Sequence, residues 1–478
     1  MTSAKDFEPS LRILPWLVAV ALFMENLDAT ILNTAVPTMS ADLGVEPLSL
    51  KGVLTSYTLS LAVFIPISGW MADRFGTCRV FTLAIIIFTV GSLLCGIAPN
   101  VPMLVVSRII QGLGGAMMMP VGRIALVRSF PRSEMLRVTT YVIIPALVAP
   151  LIGPFLGGVI VHWLHWRIIF FINLPFAAAG LWLARRHMPD FRDENAPPLD
   201  RVGFVLFGAG IGLLSYVLEV FGEHRLSSLT ISSMLIVSLM LLAGYAWRAR
   251  RNPAPLLAWW LLKIRTFRVS VLGGFVTRLG VGGMPFLLPL LYQIGLGFLP
   301  WQAGLLTVPL ALAAIGMKVV SRPLLAKFGH RQVLIVNTVL LGCTIIFFSR
   351  VNPQTPIWAI VALSFTQGFF SSLQFTSMNT LIFADVEDRD ASKASSIAST
   401  GQQMSVSFGV AFASTLAAWF LGDVDQTIAA ETMPALHKAF VTMGSLTILS
   451  SLAFWGLQKS DGDNVSHHKS LSGTPNHA

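Results

Sequence analysis

Leu27-Asp28-Ala29-Thr30-Ile31-Leu32-Asn33-Thr34-Ala35-Val36-Pro37 closes an apolar run that begins near Ile13. The run is long enough to cross a bilayer, which takes about 20 helical residues. A carboxylate at the centre of such a helix costs roughly 2.5–3.5 kcal/mol on insertion scales. Glu25 precedes Asp28 by three residues, and residues three apart share a helix face. Two acids on one face of a membrane helix must look into protein or a wet cavity. The rest of the fold has to supply that interior.

The composition agrees. Of 478 residues, 54% are hydrophobic and only 12% charged, where a soluble chain averages about 25% charged residues. Mean hydropathy is +0.71. Apolar runs of about 20 residues recur along almost the whole length, and fourteen can be counted from 13–36 to 438–457. The expectation is an all-α polytopic membrane protein. The net charge of +10 does not indicate a nucleic-acid partner. With the N-terminus inside, most Lys and Arg fall in connections on the cytoplasmic side, which is the positive-inside bias. Both termini are then cytoplasmic in a cell inner (plasma) membrane protein, with membrane lipid as its surroundings. The three cysteines show neither disulfide nor metal spacing. Cys78 is expected in a loop. His162 and His165 flank Trp163 and Trp166, a set read as an interfacial belt rather than a metal site.

An internal repeat divides the chain. The second run ends in Gly69-Trp70-Met71-Ala72-Asp73-Arg74-Phe75-Gly76, and a degraded copy, Arg322 to Arg331, follows the tenth run with Phe328-Gly329 in the place of Phe75-Gly76. With residues 201–266 set aside, the separation of the copies fits six helices of about 30 residues each, loops included. The expected divisions are a cytoplasmic N-terminus (1–12), a six-helix bundle (13–200), two inserted linker helices (201–266), a second six-helix bundle (267–458) and a disordered cytoplasmic tail (459–478). The polar run from Arg185 to Arg201, with Pro197-Pro198, is the linker candidate. His467-His468 belongs to the solvated tail. Repeats of this kind typify secondary transporters, with the substrate site at the repeat interface.

Several further residues are costly where they stand. Arg108 lies about 10 Å deep in the fourth run and Asp28 about 12 Å from the same surface, which permits an ion pair between neighbouring helices. Gln111 lies near the depth of Glu25. The fifth run carries Pro145, Pro150 and then Gly153-Pro154-Phe155-Leu156-Gly157-Gly158, a kinked small-residue face suited to a hinge or to close helix contact. Arg278 stands at mid-depth in a ninth run broken by Gly282-Gly283, Pro285 and Pro289. Asn33, Gln111, Arg278 and Gln402 are the candidate cavity residues. Lys318 lies toward the inner end of its run, where it can snorkel.

Together these pieces resemble the major facilitator superfamily, and within it the fourteen-helix drug:proton antiporter family. Asp73-Arg74-x-Gly76, Arg108 to Gly115, Gly153-Pro154-x-x-Gly157-Gly158, Leu27 to Pro37 and Trp166 to Pro175 carry the likeness, which covers almost all of the chain. Tyr292 to Phe298 and Ser377-Met378-Asn379-Thr380 narrow it to one multidrug exporter of that branch. Two departures are Ala149 in place of a glycine and Glu25 in place of a neutral polar residue. The resemblance implies gating roles for Gly69, Asp73, Arg74, Gly76, Gly153, Pro154, Gly157 and Gly158. It implies that Asp73 docks on the start of the thirteenth helix near Ser395.

These readings combine into a mechanism. No Gly-x-x-x-x-Gly-Lys-Ser/Thr loop occurs, so an ion gradient, not ATP, is the expected energy source. Asp28 is the expected proton site, Arg108 its modulator, and Glu25 a second proton or substrate site. The expected protein is a monomeric, cofactor-free, proton-coupled exporter of small amphipathic or cationic compounds. A transporter of an organic acid or metal chelate, by export or proton symport, is the alternative. A membrane-embedded enzyme finds no metal cluster or nucleophile–base constellation to support it, and a channel would be told apart by conduction far faster than a carrier's and by the lack of counterflow.

Overall fold

A computed structural model describes residues 9–131, 134–193, 198–220, 227–387, 390–422, 426 and 428–466, the side chains of 9–12 and 136 apart. No β-strand occurs among them. Among the described residues, twelve segments are long and apolar enough to cross a membrane. One, Pro300–Arg350, turns back on itself partway, and a further 26-residue helix, Ile357–Ile382, follows it.

The first eight helices form one packed set. α1 (Pro9–Ile31) passes through a 3-10 turn at Asn33–Ala35 into α2 (Val36–Leu43). α3 (Lys51–Phe75), α4 (Thr77–Gly96), α5 (Val101–Ser129), α6 (Met135–Trp163), α7 (Ile168–Phe171) and α8 (Asn173–His187) follow. Asn100 caps α5 by accepting from the Met103 N–H at 2.9 Å. α1 packs on α6, and α3 and α4 both pack on α5. Cys78 lies within α4, not in a loop.

α9 (Arg201–Val220) and α10 (Ser228–Arg251) pair with each other. Asp200 holds them by the start of α9. Its Oδ1 accepts from the Gly203 N–H at 3.0 Å and from Arg248 Nε at 2.8 Å. α9 then packs on α3 and on a helix of the second set.

The second set opens with a broken span. α11 (Arg265–Arg268) meets a π turn at Val269–Gly273, then come α12 (Gly274–Gly282), α13 (Met284–Leu290) and a second π turn at Leu291–Gly295. The break expected from Gly282-Gly283 and Pro285 falls between α12 and α13. α14 (Pro300–Phe347) follows, with α15 (Ile357–Ile382), α16 (Ala391–Leu421), α17 (Ala429–Ser450) and α18 (Asp463–Ser466). α14 folds at Gly329, which has φ 72° and ψ 161°. Gly76, between α3 and α4, has φ 95° and ψ 143°. The two copies of the sequence repeat thus make the same left-handed turn, which only glycine adopts without strain.

The two sets are joined most firmly at the end of the bundle away from the termini. There one apolar core takes Leu32, Val36, Leu48, Ile160 and Trp166 from the first set with Leu287, Leu291, Ala303, Leu416 and Phe440 from the second. Gln426 accepts from the Leu48 N–H at 3.0 Å and donates to Glu46 at 2.7 Å, and Gln293 donates to the Thr34 carbonyl at 2.9 Å. At the end bearing the termini, separate cores serve each set. Arg123 reaches Ser395 there at 3.4 Å.

Two expectations are corrected. Trp166 is not an interfacial belt residue: it is 1% exposed and donates to Asp42 at 2.7 Å, with Arg167 over its ring. The tail is not disordered from 459. Asp461 pairs with Arg265 through contacts of 2.6 and 2.9 Å, Asn464 donates to the Ala384 carbonyl, and Gly462 lies against the His330 ring. His467-His468, Pro197 and Asp388 lie outside the described residues.

Candidate functional site

Five helices bring polar side chains to one point inside the first set. Asp28, 1% exposed on α1, pairs through Oδ2 with Arg108 Nη1 of α5. Its Oδ1 accepts from Gln111 Nε2 at 2.8 Å and from Asn173 Nδ2 of α8 at 3.0 Å. Arg108 also donates to Gln111 Oε1 at 2.8 Å and to the Val53 carbonyl of α3 at 3.2 Å, and lies 4.2 Å above the Tyr57 ring. Asn173 reaches Ser92 of α4, whose hydroxyl donates to the Phe170 carbonyl at 2.7 Å. Every group aimed at the Asp28 carboxylate is a donor, which suits its ionised form. The ion pair expected from matching depths is therefore present, and Arg108, also 1% exposed, does not snorkel.

The helical sequence makes this convergence possible. Gly112 and Gly114 of α5 leave space for Tyr57 of α3 and Phe88 of α4 to come within contact of the α5 backbone. That close approach lets side chains as short as Ser92 and Asn173 complete the cluster. Gln111 was expected as a cavity wall, but it is fully buried and tied to both charges. It holds the acid in place. Asn33 is 8% exposed in the 3-10 turn beyond α1, toward the joined end.

Glu25 differs from Asp28. It lies one turn earlier on α1 and is 9% exposed. Its Oε2 is enclosed without a hydrogen-bond partner among the described residues. Such a carboxylate in a membrane interior is costly until a proton or cation meets it. Arg278 and Gln402 belong to the second set, on α12 and α16, and neither joins the Asp28 cluster. Lys318 is exposed on α14.

The small-residue face of α6 makes close contacts. Gly153 packs on Thr30, and Thr34 donates to the Pro154 carbonyl at 2.8 Å. A Cβ on Gly158 would stand 2.9 Å from Trp301 Cα, and one on Gly304 would stand 2.8 Å from Phe155 Cα. α6 and α14 therefore touch backbone to backbone across the joined end. Gly69 of α3 has open space around it, and Arg74 is exposed. Asp73 departs from the docking expected of it. Its carboxylate pairs with Arg128 of α5 at 2.8 Å, not with α16. The turn at Gly76 rests on the stretch after α8, with the Thr77 N–H donating to the Phe191 carbonyl at 3.1 Å.

A family model described as Major Facilitator Superfamily matches residues 18–409 and 270–472. The chain belongs to the major facilitator superfamily. It is 38% identical over 443 residues to "Putative multidrug resistance protein MdtD" of Serratia proteamaculans (strain 568), covering 92% of each chain. It is 39% identical over 452 residues to the protein of the same name from Enterobacter sp. (strain 638), covering 94% of each. The narrowing drawn from Tyr292 to Phe298 and from Ser377 to Thr380 is thus borne out. In shape the chain resembles a POT family transporter crystallised with 5-aminolevulinic acid (TM-score 0.68, 14% identity, covering 97% of this chain and 98% of that one). It also resembles a bacterial homologue of the lysosomal transporter Spinster (TM-score 0.63, 14% identity, covering 98% and 100%). At such identities these two speak to the fold alone. A member of this superfamily with these spans is a multi-pass membrane transporter of small molecules and not an enzyme.

Neutral residues completed the cluster without announcing themselves. Asn173, Ser92 and Tyr57 are ordinary constituents of apolar runs, and Asn173 is 145 positions from Asp28. The sequence signal was Trp166 to Pro175 as a motif, which contains Asn173.

Proposed function

We propose that the chain is a proton-coupled secondary transporter that exports small amphipathic or cationic compounds by alternating access, as an antiporter. The observation that carries this reading is Asp28, a buried carboxylate held by Arg108, Gln111 and Asn173 inside a membrane-spanning bundle. A proton arriving at Asp28 removes the charge that holds Arg108, so protonation and helix arrangement are linked. Glu25, one turn away and with its Oε2 unmet by any described hydrogen-bond donor, is the group that a cationic cargo or a second proton would satisfy. The multidrug-resistance name of its relatives supports that cargo class.

The rest of the reading concerns placement. Two six-helix bundles (13–200 and 267–458) flank an inserted pair (201–266), giving fourteen spans in the cell inner (plasma) membrane. Both termini are cytoplasmic, and one chain suffices. The end joined by the shared core is then the outer one, and the described arrangement is closed to the outside. Asp73 acts as a latch for the opposite state. When the inner ends close, it leaves Arg128 for the start of α16.

The test is transport in proteoliposomes under an imposed pH gradient. A cationic dye should move against the proton flow, and Asp28→Asn should abolish the gradient-driven component. Undiminished coupled transport in that variant removes Asp28 from the mechanism. A second reading, export or symport of an organic acid or metal chelate, draws support from Arg278 in the opposite half.

A further inference from the structure

The second set contains a charge that the Asp28 mechanism does not use. Arg278 is 5% exposed, and its guanidinium makes no hydrogen bond or ion pair with any described residue. Nε is wholly enclosed. Phe375 of α15 lies 4.7 Å from the guanidinium carbon. Gly274, one turn earlier, gives the group its seat. A Cβ there would stand 2.7 Å from Nη1 and 3.0 Å from Met378 Sδ. The cation is thus stacked on one aromatic face and floored by a glycine. No described residue accepts from its terminal nitrogens, and of the three guanidinium nitrogens only Nε is among the fully enclosed unpartnered atoms.

A charge so placed is expensive in a membrane interior, and one cation–π contact returns only part of that cost. Natural bundles keep such groups where they meet a ligand. A lipid headgroup cannot be that ligand. Arg278 stands about 20 Å of helix beyond Arg265, at 1.5 Å per residue, in a hydrocarbon layer about 30 Å thick. The planar guanidinium fork matches the two oxygens of a carboxylate. The neighbouring phenyl face suits a flat apolar body beside it.

We propose that Arg278, seated on Gly274 and against Phe375, is a carboxylate-binding subsite for the transported compound. This deepens the transporter reading and rests on it. With Glu25 on α1 and Arg278 on α12 both lacking a partner among the described residues, the cargo favoured is an amphoteric aromatic compound. Its cationic group is taken by the first bundle and its carboxylate by the second.

The test uses a xanthene dye that carries a free benzoate, and the methyl ester of the same dye. Binding is read by fluorescence polarisation on the full chain in lipid nanodiscs. The wild type should hold the acid roughly tenfold more tightly than the ester, the worth of one charge-assisted hydrogen bond. Arg278→Gln should abolish that preference by weakening the acid alone, and Arg278→Lys should keep part of it. Gly274→Ala moves the guanidinium while leaving its charge, and should also weaken the acid. Removing an unpaired buried charge should not lower the thermal midpoint, and a retained midpoint in Arg278→Gln checks folding. An acid held no better than its ester by the wild type, or held unchanged by Arg278→Gln, overturns the assignment. Proton-driven movement of both dyes is scored separately with Asp28→Asn. Failure of that arm removes the coupling and leaves the carboxylate subsite standing.

Discussion

Taking the charge off Asp28 leaves Arg108 enclosed in the bundle without a counter-ion. Breaking a buried pair from one side costs about 3–5 kcal/mol, while removing both charges together is often close to neutral. Asp28→Asn should therefore lower the thermal midpoint clearly, and Asp28→Asn with Arg108→Gln should recover most of the loss without restoring transport. A double variant as unstable as the sum of the two singles would mean that the charges are not coupled. The pair was legible in the sequence because charge inside an apolar run is rare and costly, and equal depths made a partnership possible. Gln111 was misread for a related reason. An amide fits a cavity wall or a buried network equally well, and only its neighbours decide. The three donors to Asp28 come from two other helices, and helix-to-helix proximity is not written in either run.

At the scale of the element, the backbone-to-backbone contact of α6 with α14 is an exacting one. Gly158 faces Pro300 and Trp301 with no room for a side chain. Gly158→Val should prevent α6 and α14 from closing. Cysteines introduced at that end should then react faster with an impermeant thiol reagent, with unaltered reactivity counting against the seam as the closing contact. The α9 start offers a pH test. Burial raises the Asp200 carboxyl, but hydrogen bonds from Arg248 and the Gly203 N–H outweigh it and hold the group below the usual aspartate value. A depressed folded value means that stability is complete above the unfolded value, about 3.9, and is lost as pH falls through the folded one. Hydrogen exchange at the start of α9 should be steady from neutral pH to about 5 and accelerate below about 4. Asp200→Ala should cost about 0.5–2 kcal/mol at neutral pH, as for other lost helix caps. The turns at Gly76 and Gly329 were readable as copies of one motif. The π turns of the broken ninth span were not, because no residue type marks the register at which a backbone hydrogen bond shifts by one.

For the molecule as a whole, the asymmetry between its ends is the main result. One core and several polar contacts cross between the sets away from the termini, while at the terminal end each set keeps a core of its own. A cysteine at Gln402 should thus be labelled from the terminal side and not from the other when no gradient is applied. Equal labelling from both sides would contradict a closed far end. The all-helical, multi-span character was accessible from hydropathy, and the kinship of the two glycine turns from one duplicated motif. The state of the two ends was not, since both states bury the same apolar runs and differ only in which seam is shut.

The clasp made by Asp461 on Arg265, with Gly462 over His330 and Asn464 on Ala384, has a practical meaning for anyone handling this chain. A reporter or affinity handle fused directly after Gly456 would strip three attachments from the rim of the second bundle and strand the Arg265 guanidinium. Handles belong beyond Ser466, and a chain cut back to Lys459 should lose expression yield before it loses any recognisable step of transport.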